Sequence, residues 1–311
     1  MMISPRLLRR LSLGYTRSIF ALACAIFAFT MTTPSLAQTL TIGTISATPV
    51  KETHAFQPFA DYLAGRLAED GIKTVKVVVA ANIEDMAALL KSGGVDLFID
   101  SSVTALAVNE LSGSQYMLSR WKKGREKYRS VIFVRADSPI ASLADMNGKV
   151  IAFEEPFSTS GFMLPALTMH RLGLKLNEVA TVTSVPPVGS VGYVMAYDNE
   201  TQLAWLERGR VQAAAMAEKD FKDFAKTALT PLRALYSTPY VPYHVMVHRA
   251  DLGAGLVTRI KVVLTSAHET EPGRTVLQAF ERTAKFDVIP APLLTEVLSL
   301  QPYLHVITTP Q

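Results

Sequence analysis

The stretch Phe157-Ser158-Thr159-Ser160-Gly161 lies between an apolar run and a long helical pattern. The run Val150–Phe153 is typical of a buried strand, and residues 162–172 have the apolar spacing of a helix. A strand, a turn of small hydroxyl residues and a helix would place three hydroxyls and several unpaired backbone N–H groups at a helix N-terminus. Such a terminus attracts anions through its free amides and its dipole. Because the same residues also suit an ordinary helix cap, the rest of the chain decides between the two interpretations.

Strands and helices alternate along the chain after residue 38. Apolar spacing predicts strands at 40–45, 75–79, 95–99, 128–134, 150–153, 180–183, 212–216 and 245–248. It predicts helices at 56–67, 83–90, 103–111, 162–172, 191–208 and 219–226, and then a helical tail at 256–300. This alternation is typical of an α/β fold.

Two successive α/β units with a helical tail predict two lobes. We expect the first lobe to comprise residues 38–134 and 245–311, and the second to comprise residues 135–244. The chain would then cross between the lobes near 133–137 and 240–245. Ligands of open α/β sheets bind beyond the carboxyl ends of the strands. Two such sheet edges facing each other predict a ligand cleft that closes by a hinge motion.

The N-terminus has the features of a secretory signal. Four arginines precede an apolar run at 19–29, and the small residues Ser35-Leu36-Ala37 follow it. The apolar run is short for a bilayer span, which needs about 20 residues. We therefore expect Met1–Ala37 to be a cleaved signal peptide and the protein to be periplasmic, with an uncleaved anchor as the alternative.

Composition narrows the function further. Removing the four signal arginines from 31 basic residues leaves 27, which equals the 27 acidic residues. A chain without net charge gives no indication of a nucleic-acid surface. The single cysteine, Cys24, lies in the predicted signal, so the remaining chain has no disulfide, thiol nucleophile or cysteine metal site. The histidines lack metal-ligand spacing.

Short motifs spread over nearly the whole chain carry a resemblance to a known family. They are Thr41-Ile42-Gly43, Phe59-Ala60-Asp61-Tyr62-Leu63, Gly94-Val95-Asp96-Leu97, Tyr128-Arg129-Ser130-Val131, Asp137-Ser138-Pro139-Ile140, Ser142-Leu143-Ala144-Asp145-Met146-Asn147-Gly148-Lys149 and Ser158-Thr159-Ser160-Gly161-Phe162. With these motifs in this order, the chain resembles the phosphate/phosphite/phosphonate substrate-binding proteins of ABC transporters. The resemblance implies a two-lobed type II periplasmic binding protein fold with the ligand cleft between the lobes.

The resemblance also implies ligand-binding residues. The serine-threonine-serine turn of the family holds phosphonate oxygens, and it matches Ser158, Thr159 and Ser160. A family histidine that contacts the oxyanion falls on Asn199, and a cleft tyrosine falls on Asp100. Two family carboxylates that hold a ligand ammonium fall near Glu218 and on His244. Because His244 cannot replace a carboxylate, we expect a small oxyanion without an aminoalkyl arm, or a ligand outside the phosphorus group.

Two of the candidate positions also have simpler interpretations. Asp100 precedes the predicted helix 103–111 and suits an N-cap. Tyr128 lies where a strand passes between the lobes, so its side chain could equally well pack in the core or contact the ligand.

The expected function is delivery of a small oxyanion of the phosphonate, phosphite or phosphate class to an ABC permease in the inner membrane. Such a protein performs no catalysis, needs no cofactor or metal and acts as a monomer. One alternative is a ligand-sensing accessory protein of a histidine kinase system with the same fold. A periplasmic hydrolase is disfavoured, because the chain lacks a G-x-S-x-G motif and clustered histidine–carboxylate spacing.

Overall fold

A computed structural model of the chain describes residues 38–308. The predicted signal peptide, Met1–Ala37, lies outside the described residues. The strands are β1 (Gln38–Ile45), β2 (Ile72–Ala80), β3 (Leu97–Ser101), β4 (Gln115–Arg120), β5 (Lys127–Tyr128), β6 (Ser130–Arg135), β7 (Val150–Phe153), β8 (Lys175–Glu178), β9 (Ser190–Met195), β10 (Ala213–Ala217), β11 (Leu232–Ser237), β12 (Val241–Pro242), β13 (His244–His248) and β14 (Phe286–Asp287).

The α-helices are α1 (Pro49–Leu67), α2 (Ile83–Ser92), α3 (Ser102–Ser112), α4 (Leu164–Arg171), α5 (Asn199–Glu207), α6 (Glu218–Thr227), α7 (Ala254–Ser266), α8 (Glu271–Ala279), α9 (Ala291–Leu298) and α10 (His305–Thr308). A π-helical turn, Thr159–Met163, precedes α4. Between residues 38 and 308, no helix combines the length and apolar character that a bilayer crossing requires.

The strands form two six-stranded sheets, which give the chain two lobes. The first sheet has the order β14-β4-β13-β3-β1-β2, with β1 parallel to both β2 and β3. The second has the order β11-β6-β10-β7-β9-β8, with β10, β7, β9 and β8 parallel. The short strands β5 and β12 pair with each other outside both sheets, with Tyr128 opposite Val241. The chain therefore passes between the sheets along this two-stranded ribbon.

Helix α3 is shared between the hydrophobic cores of the two lobes. Val103 and Leu106 lie in one core cluster with residues of the second sheet such as Ile132. On its other face, Ala105 packs in a cluster with Phe98 of the first sheet. This double burial explains why residues Ser102–Val108 are all buried, and it holds the N-terminus of α3 at the junction of the lobes.

The lobe boundaries differ from the predicted ones in two places. Strand β6 belongs to the second sheet, whereas the predicted boundary put residues 130–134 in the first lobe. The C-terminal tail was assigned to the first lobe; α7 and α8 do pack against the first sheet, but Val297, Leu300 and Leu304 are buried in the core cluster of the second sheet. Apolar spacing shows which face of an element is buried but not which sheet covers it. The sequence therefore could not predict the lobe to which β6 or the end of the tail belongs.

Two predicted elements in the second lobe are wrong. The strand predicted at 180–183 is a turn, and the edge strand lies earlier, at β8. The helix predicted at 191–208 is strand β9 followed by the separate helix α5. The run Val191-Gly192-Tyr193-Val194 is apolar on both faces because β9 lies between two parallel neighbours. A continuous apolar run of this kind has no period that separates strand from helix.

Candidate functional site

A cavity of about 250 Å³ lies where the two lobes meet. Its lining residues come from both sheets, from the crossing ribbon and from the segment after α8. They are Thr44, Ile45, Glu52, Asp100, Ser101, Lys122, Tyr128, Glu154, Glu155, Phe157, Ser158, Thr159, Ser160, Tyr243, His244 and Glu281. The strands β1, β3 and β7 all end at the cavity, as expected for a ligand site at the carboxyl edges of α/β sheets.

The Ser158–Ser160 turn both caps a helical segment and lines the cavity. The Ser158 hydroxyl oxygen accepts a hydrogen bond from the Gly161 N–H at 3.0 Å and donates one to the Glu154 carboxylate at 2.6 Å. A Cβ on residue 161 would lie 2.4 Å from the Glu154 Oε2 atom, so only glycine fits under this carboxylate. The Ser160 carbonyl accepts a hydrogen bond from the Ser130 hydroxyl at 2.7 Å, which fixes the turn to the start of β6.

Thr159 connects the turn to the N-terminus of α3 across the cleft. Its Oγ1 atom lies 3.2 Å from the Val103 backbone nitrogen and 3.3 Å from that of Thr104, and both N–H groups donate to it. The Thr159 hydroxyl in turn donates to the Ser101 Oγ atom at 2.9 Å. The first amides of a helix have no partner within the helix, so a hydroxyl oxygen of the opposite lobe satisfies them here.

Asp100 lies in the cavity wall but is not the N-cap that the sequence favoured. Ser101 is the N-cap of α3, and the Asp100 carboxylate accepts hydrogen bonds from the backbone N–H groups of Ser101 and Ile45 at 2.7 and 3.2 Å. Burial raises the pKa of Asp100 above its ordinary value, and the two backbone hydrogen bonds oppose that rise. The carboxylate thus ties the ends of β1 and β3 together at the cleft edge.

A charged cluster that the sequence did not reveal forms another wall of the cavity. The Lys122 ammonium lies 2.7 Å from Glu281, and the buried Arg120 guanidinium lies 3.0 Å from the same carboxylate. Burial lowers the pKa of Lys122, and Glu281 opposes this effect. Glu52 lies beside this charged cluster. Burial is the largest cause of its raised pKa, and the negative charges of Glu281 and Asp100 raise it further.

Tyr128 and His244 also line the cavity. The Tyr128 ring is buried against the Tyr243 ring, with centroids 4.4 Å apart, so it has the packing role and also faces the cavity. His244 lies on β13 beside Tyr243, and its Nδ1 atom is buried without a partner among the described residues. Burial lowers the pKa of His244 well below its ordinary value, and the nearby Lys122 and Arg120 lower it further.

The lowered pKa of His244 predicts acid sensitivity. As the pH falls below 6.5, the ordinary pKa of histidine, His244 becomes protonated in the unfolded chain but stays neutral in the folded chain. The free energy of unfolding should therefore fall by up to about 1.4 kcal/mol per pH unit from this residue. Urea unfolding at pH 7.5, 6.5 and 5.5 should show a flatter profile for His244→Gln. The exposed His54 gives the matched control, and equal slopes for His54→Gln, His244→Gln and the wild type would contradict the assignment.

Two predicted site residues lie outside this cavity. Asn199 is the first residue of α5 and does not line it. Glu218 is bound by Arg129 at 2.8 Å and Lys222 at 2.9 Å and accepts a hydrogen bond from the Tyr240 hydroxyl. These contacts, that of Arg129 first, lower the pKa of Glu218 to about 2. Its charge is already paired, so it is not free to hold a ligand ammonium.

A neighbouring cavity of about 200 Å³ is basic. It is lined by Lys123, Arg125, Lys219, Asp220, Tyr243 and Arg282. Tyr243 separates it from the main cavity, where five carboxylates face the single ammonium of Lys122. The cleft therefore has an acidic interior beside a basic pocket.

Sequence reasoning missed Glu52, Lys122, Glu154, Glu155 and Glu281. The sequence indicated two of them, because Glu154 and Glu155 directly follow the predicted strand β7 and so lie at its carboxyl end, where ligands bind. Glu281 follows α8 with a left-handed backbone (φ 51°), and no spacing rule links it to Lys122.

Comparison with known proteins identifies the family and the fold. A family model described as "ABC transporter, phosphonate, periplasmic substrate-binding protein" matches residues 42–290. The protein XAC2383 from Xanthomonas citri, solved with chloride and with ATP, is 25% identical, with TM-scores of 0.79 and 0.78. In both comparisons 86% of this chain and 98% of that one are covered.

More distant solved structures share the fold. PhnD1 from Prochlorococcus marinus, in complex with methylphosphonate, is 16% identical with a TM-score of 0.62, covering 87% of this chain and 99% of that one. The aliphatic sulphonate binding protein SsuA from Escherichia coli is 17% identical with a TM-score of 0.50, covering 86% of each chain. The two-lobed type II periplasmic binding fold is thus common to proteins named for phosphorus and for sulfur oxyanions.

Proposed function

This chain belongs to the family of periplasmic substrate-binding proteins of phosphonate ABC transporters, and we propose that it binds a small oxyanion between its lobes and delivers it to a permease in the inner membrane. The observation that carries the proposal is the convergence of two helix starts on one cavity. The Ser158 hydroxyl lines the cavity, and the Thr159 hydroxyl oxygen accepts the N–H groups of Val103 and Thr104 at the start of α3. The protein would act as a periplasmic monomer after removal of Met1–Ala37, and without catalysis.

The contacts of Thr159 outline how an oxyanion would bind. Without a ligand, the Thr159 oxygen accepts the Val103 and Thr104 N–H groups. An oxyanion inserted at this point takes over both donors and receives the Thr159 hydroxyl as a third. Hydrogen bonds to a charged acceptor contribute about 1.5–3 kcal/mol each, against about 0.5–1.5 kcal/mol for neutral ones. The exchange therefore favours the anion over the threonine.

The carboxylates of the cavity favour a ligand with an amine over the amine-free ligand that the sequence led us to expect. That expectation rested on His244 standing where the family has a carboxylate, but Glu52, Asp100 and Glu281 surround the same region. Burial raises the pKa of Glu52 and Asp100, and neither carboxylate forms an ion pair with another of residues 38–308. A ligand ammonium would supply that partner, and Lys219 lies in the neighbouring pocket instead. We therefore propose a zwitterionic ligand, with an oxyanion at one end and an amine at the other.

Calorimetry with a matched pair of compounds tests this proposal. The chain from Gln38 onward is titrated near neutral pH with 2-aminoethylphosphonate and with methylphosphonate, which lacks the amine. We expect saturable one-site binding of the amine compound, at least about tenfold tighter, or 1.4 kcal/mol. Equal affinities would contradict the proposal of an ammonium site but would remain consistent with the oxyanion site. Absence of binding by both compounds, also in a thermal-shift screen that includes phosphate, phosphite and sulfate, would contradict the proposed function.

A further inference from the structure

Glu154 is a half-buried carboxyl group that no cation among residues 38–308 neutralises. It directly follows β7, its side chain packs over Gly161, and its Oε2 atom accepts the Ser158 hydroxyl at 2.6 Å. Among residues 38–308 it takes part in no ion pair. A carboxylate is thus bonded to the hydroxyl that is expected to hold the ligand oxyanion.

The titratable groups around Glu154 are acidic or phenolic. Asp198 and Glu200 face it from the start of α5, and Asp220 faces it from α6. Glu155 is its chain neighbour, and Tyr128 faces it from the crossing ribbon. An anionic ligand oxygen that approaches Ser158 therefore meets a negative carboxylate in an acidic setting. Like charges at such a distance cost several kcal/mol unless a proton lies between them.

We propose that Glu154 makes this site select phosphorus oxyanions over sulfur oxyanions, because the complex holds one proton between the Glu154 carboxylate and the ligand. The inference rests on the proposed function and names the substrate class of the same site. Where the phosphonate is a dianion, it takes one proton from solvent as it binds, which costs less than protonating a carboxylate because its second pKa is higher, about 6 for a phosphoryl group against about 4.3 for a glutamate. The resulting P–O–H group donates its hydrogen to the Glu154 carboxylate. A sulfonate carries no hydrogen on its oxygens, so Glu154 must first take a proton from solvent.

The environment of Glu154 supports this role. Burial raises its pKa above the ordinary value, and the hydrogen bond from Ser158 lowers it only partly. When a ligand oxygen draws the Ser158 hydroxyl toward itself, Glu154 loses its one hydrogen-bond donor. The P–O–H group of the ligand replaces that donor, whereas a sulfonate leaves the carboxylate unsatisfied and charged. The selection therefore follows from the exchange of a hydrogen bond, and not from the size of the cavity.

Two compounds with the same aminoethyl arm and three oxygens on a different central atom test the inference. The affinities of 2-aminoethylphosphonate and 2-aminoethanesulfonate are measured by calorimetry at about pH 7 for the wild type, Glu154→Gln and the control Glu200→Gln. Glu200 is an exposed acid near Glu154 that does not line the cavity. We expect the wild type and the control to prefer the phosphonate by about a hundredfold. In Glu154→Gln the neutral amide donates to either ligand, so the preference should fall below about tenfold through tighter sulfonate binding.

Proton counting on the wild type needs no variant. Titrations in buffers of different ionisation enthalpy should show uptake of one proton with the sulfonate, whose affinity then rises by up to about tenfold per pH unit on acidification. The inference is overturned if the wild type binds both compounds equally, if Glu154→Gln keeps the preference, or if the sulfonate binds without proton uptake. In each of these cases phosphonate binding persists and the proposed function stands. If the wild type binds neither compound, the proposed function fails and this inference fails with it.

Discussion

Replacing Ser158 and Thr159 together with alanine is expected to weaken binding of 2-aminoethylphosphonate by about a hundredfold to ten-thousandfold. Each hydroxyl is proposed to donate one hydrogen bond to a charged oxygen, worth about 1.5–3 kcal/mol, and every 1.4 kcal/mol is a factor of ten in the dissociation constant. Calorimetry on the double variant measures the loss.

A surface turn with the same residue types gives the control for this variant. Thr181 and Ser184 are bonded to each other at 3.0 Å on the surface, and their double alanine variant should keep the wild-type affinity. Because Thr159 also bonds to Ser101 and to α3, thermal unfolding of both variants without ligand separates a loss of fold from a loss of binding. If the Ser158, Thr159 variant is folded and binds with unchanged affinity, the turn is only a helix cap.

The second large effect concerns stability. Arg120 is fully buried; it donates to the Thr283 hydroxyl at 2.9 Å and to the Phe280 carbonyl at 3.0 Å, and pairs with Glu281. Its guanidinium carbon lies 3.6 Å from the centre of the Phe280 ring. Removing one partner of a buried ion pair costs about 3–5 kcal/mol. We expect Arg120→Met to lower the free energy of unfolding by about 3 kcal/mol, the lower end of this range, because Lys122 still neutralises Glu281.

Urea unfolding measures this loss against a matched surface pair. Arg259 pairs with Asp70 at 2.8 Å with both side chains about one-third exposed, and exposed pairs contribute at most about 1 kcal/mol. Arg259→Met should therefore change the free energy of unfolding by no more than that. A loss in Arg120→Met as small as that in Arg259→Met would show that the buried cluster does not stabilise this lobe.

The part of the site that the sequence predicted is the part built from consecutive residues. Strand β7 has the predicted bounds, and the hydroxyl turn and the helix follow it in the predicted order. The two-lobed α/β fold followed in the same way from alternating apolar patterns, and the family match confirms it. The apolar patterns of strands and helices can be recognised in the sequence because each depends on spacing within one segment.

The rest of the site depends on contacts between distant segments. Lys122 and Glu281 are 159 positions apart in the numbering, and their segments meet through the pairing of β4 with β14 and through backbone hydrogen bonds such as that from the Lys123 N–H to the Glu281 carbonyl. Glu218 was predicted as a ligand residue, but its charge is paired by Arg129 and Lys222. Asn199 was assigned from the resemblance alone, and it does not line the cavity. Charge pairing and sheet order are tertiary properties, so residue spacing alone does not reveal them.

The crystal structure of the chain with 2-aminoethylphosphonate tests most directly the claim that an oxyanion binds between the two helix starts. We expect one phosphonate oxygen within hydrogen-bond distance of the Val103 and Thr104 backbone nitrogens, and the hydroxyls of Ser158 and Thr159 donating to the same group. The ligand amine should face Glu52 or Asp100. A phosphonate bound elsewhere, with the Thr159 oxygen still accepting the Val103 and Thr104 N–H groups, would contradict the claim.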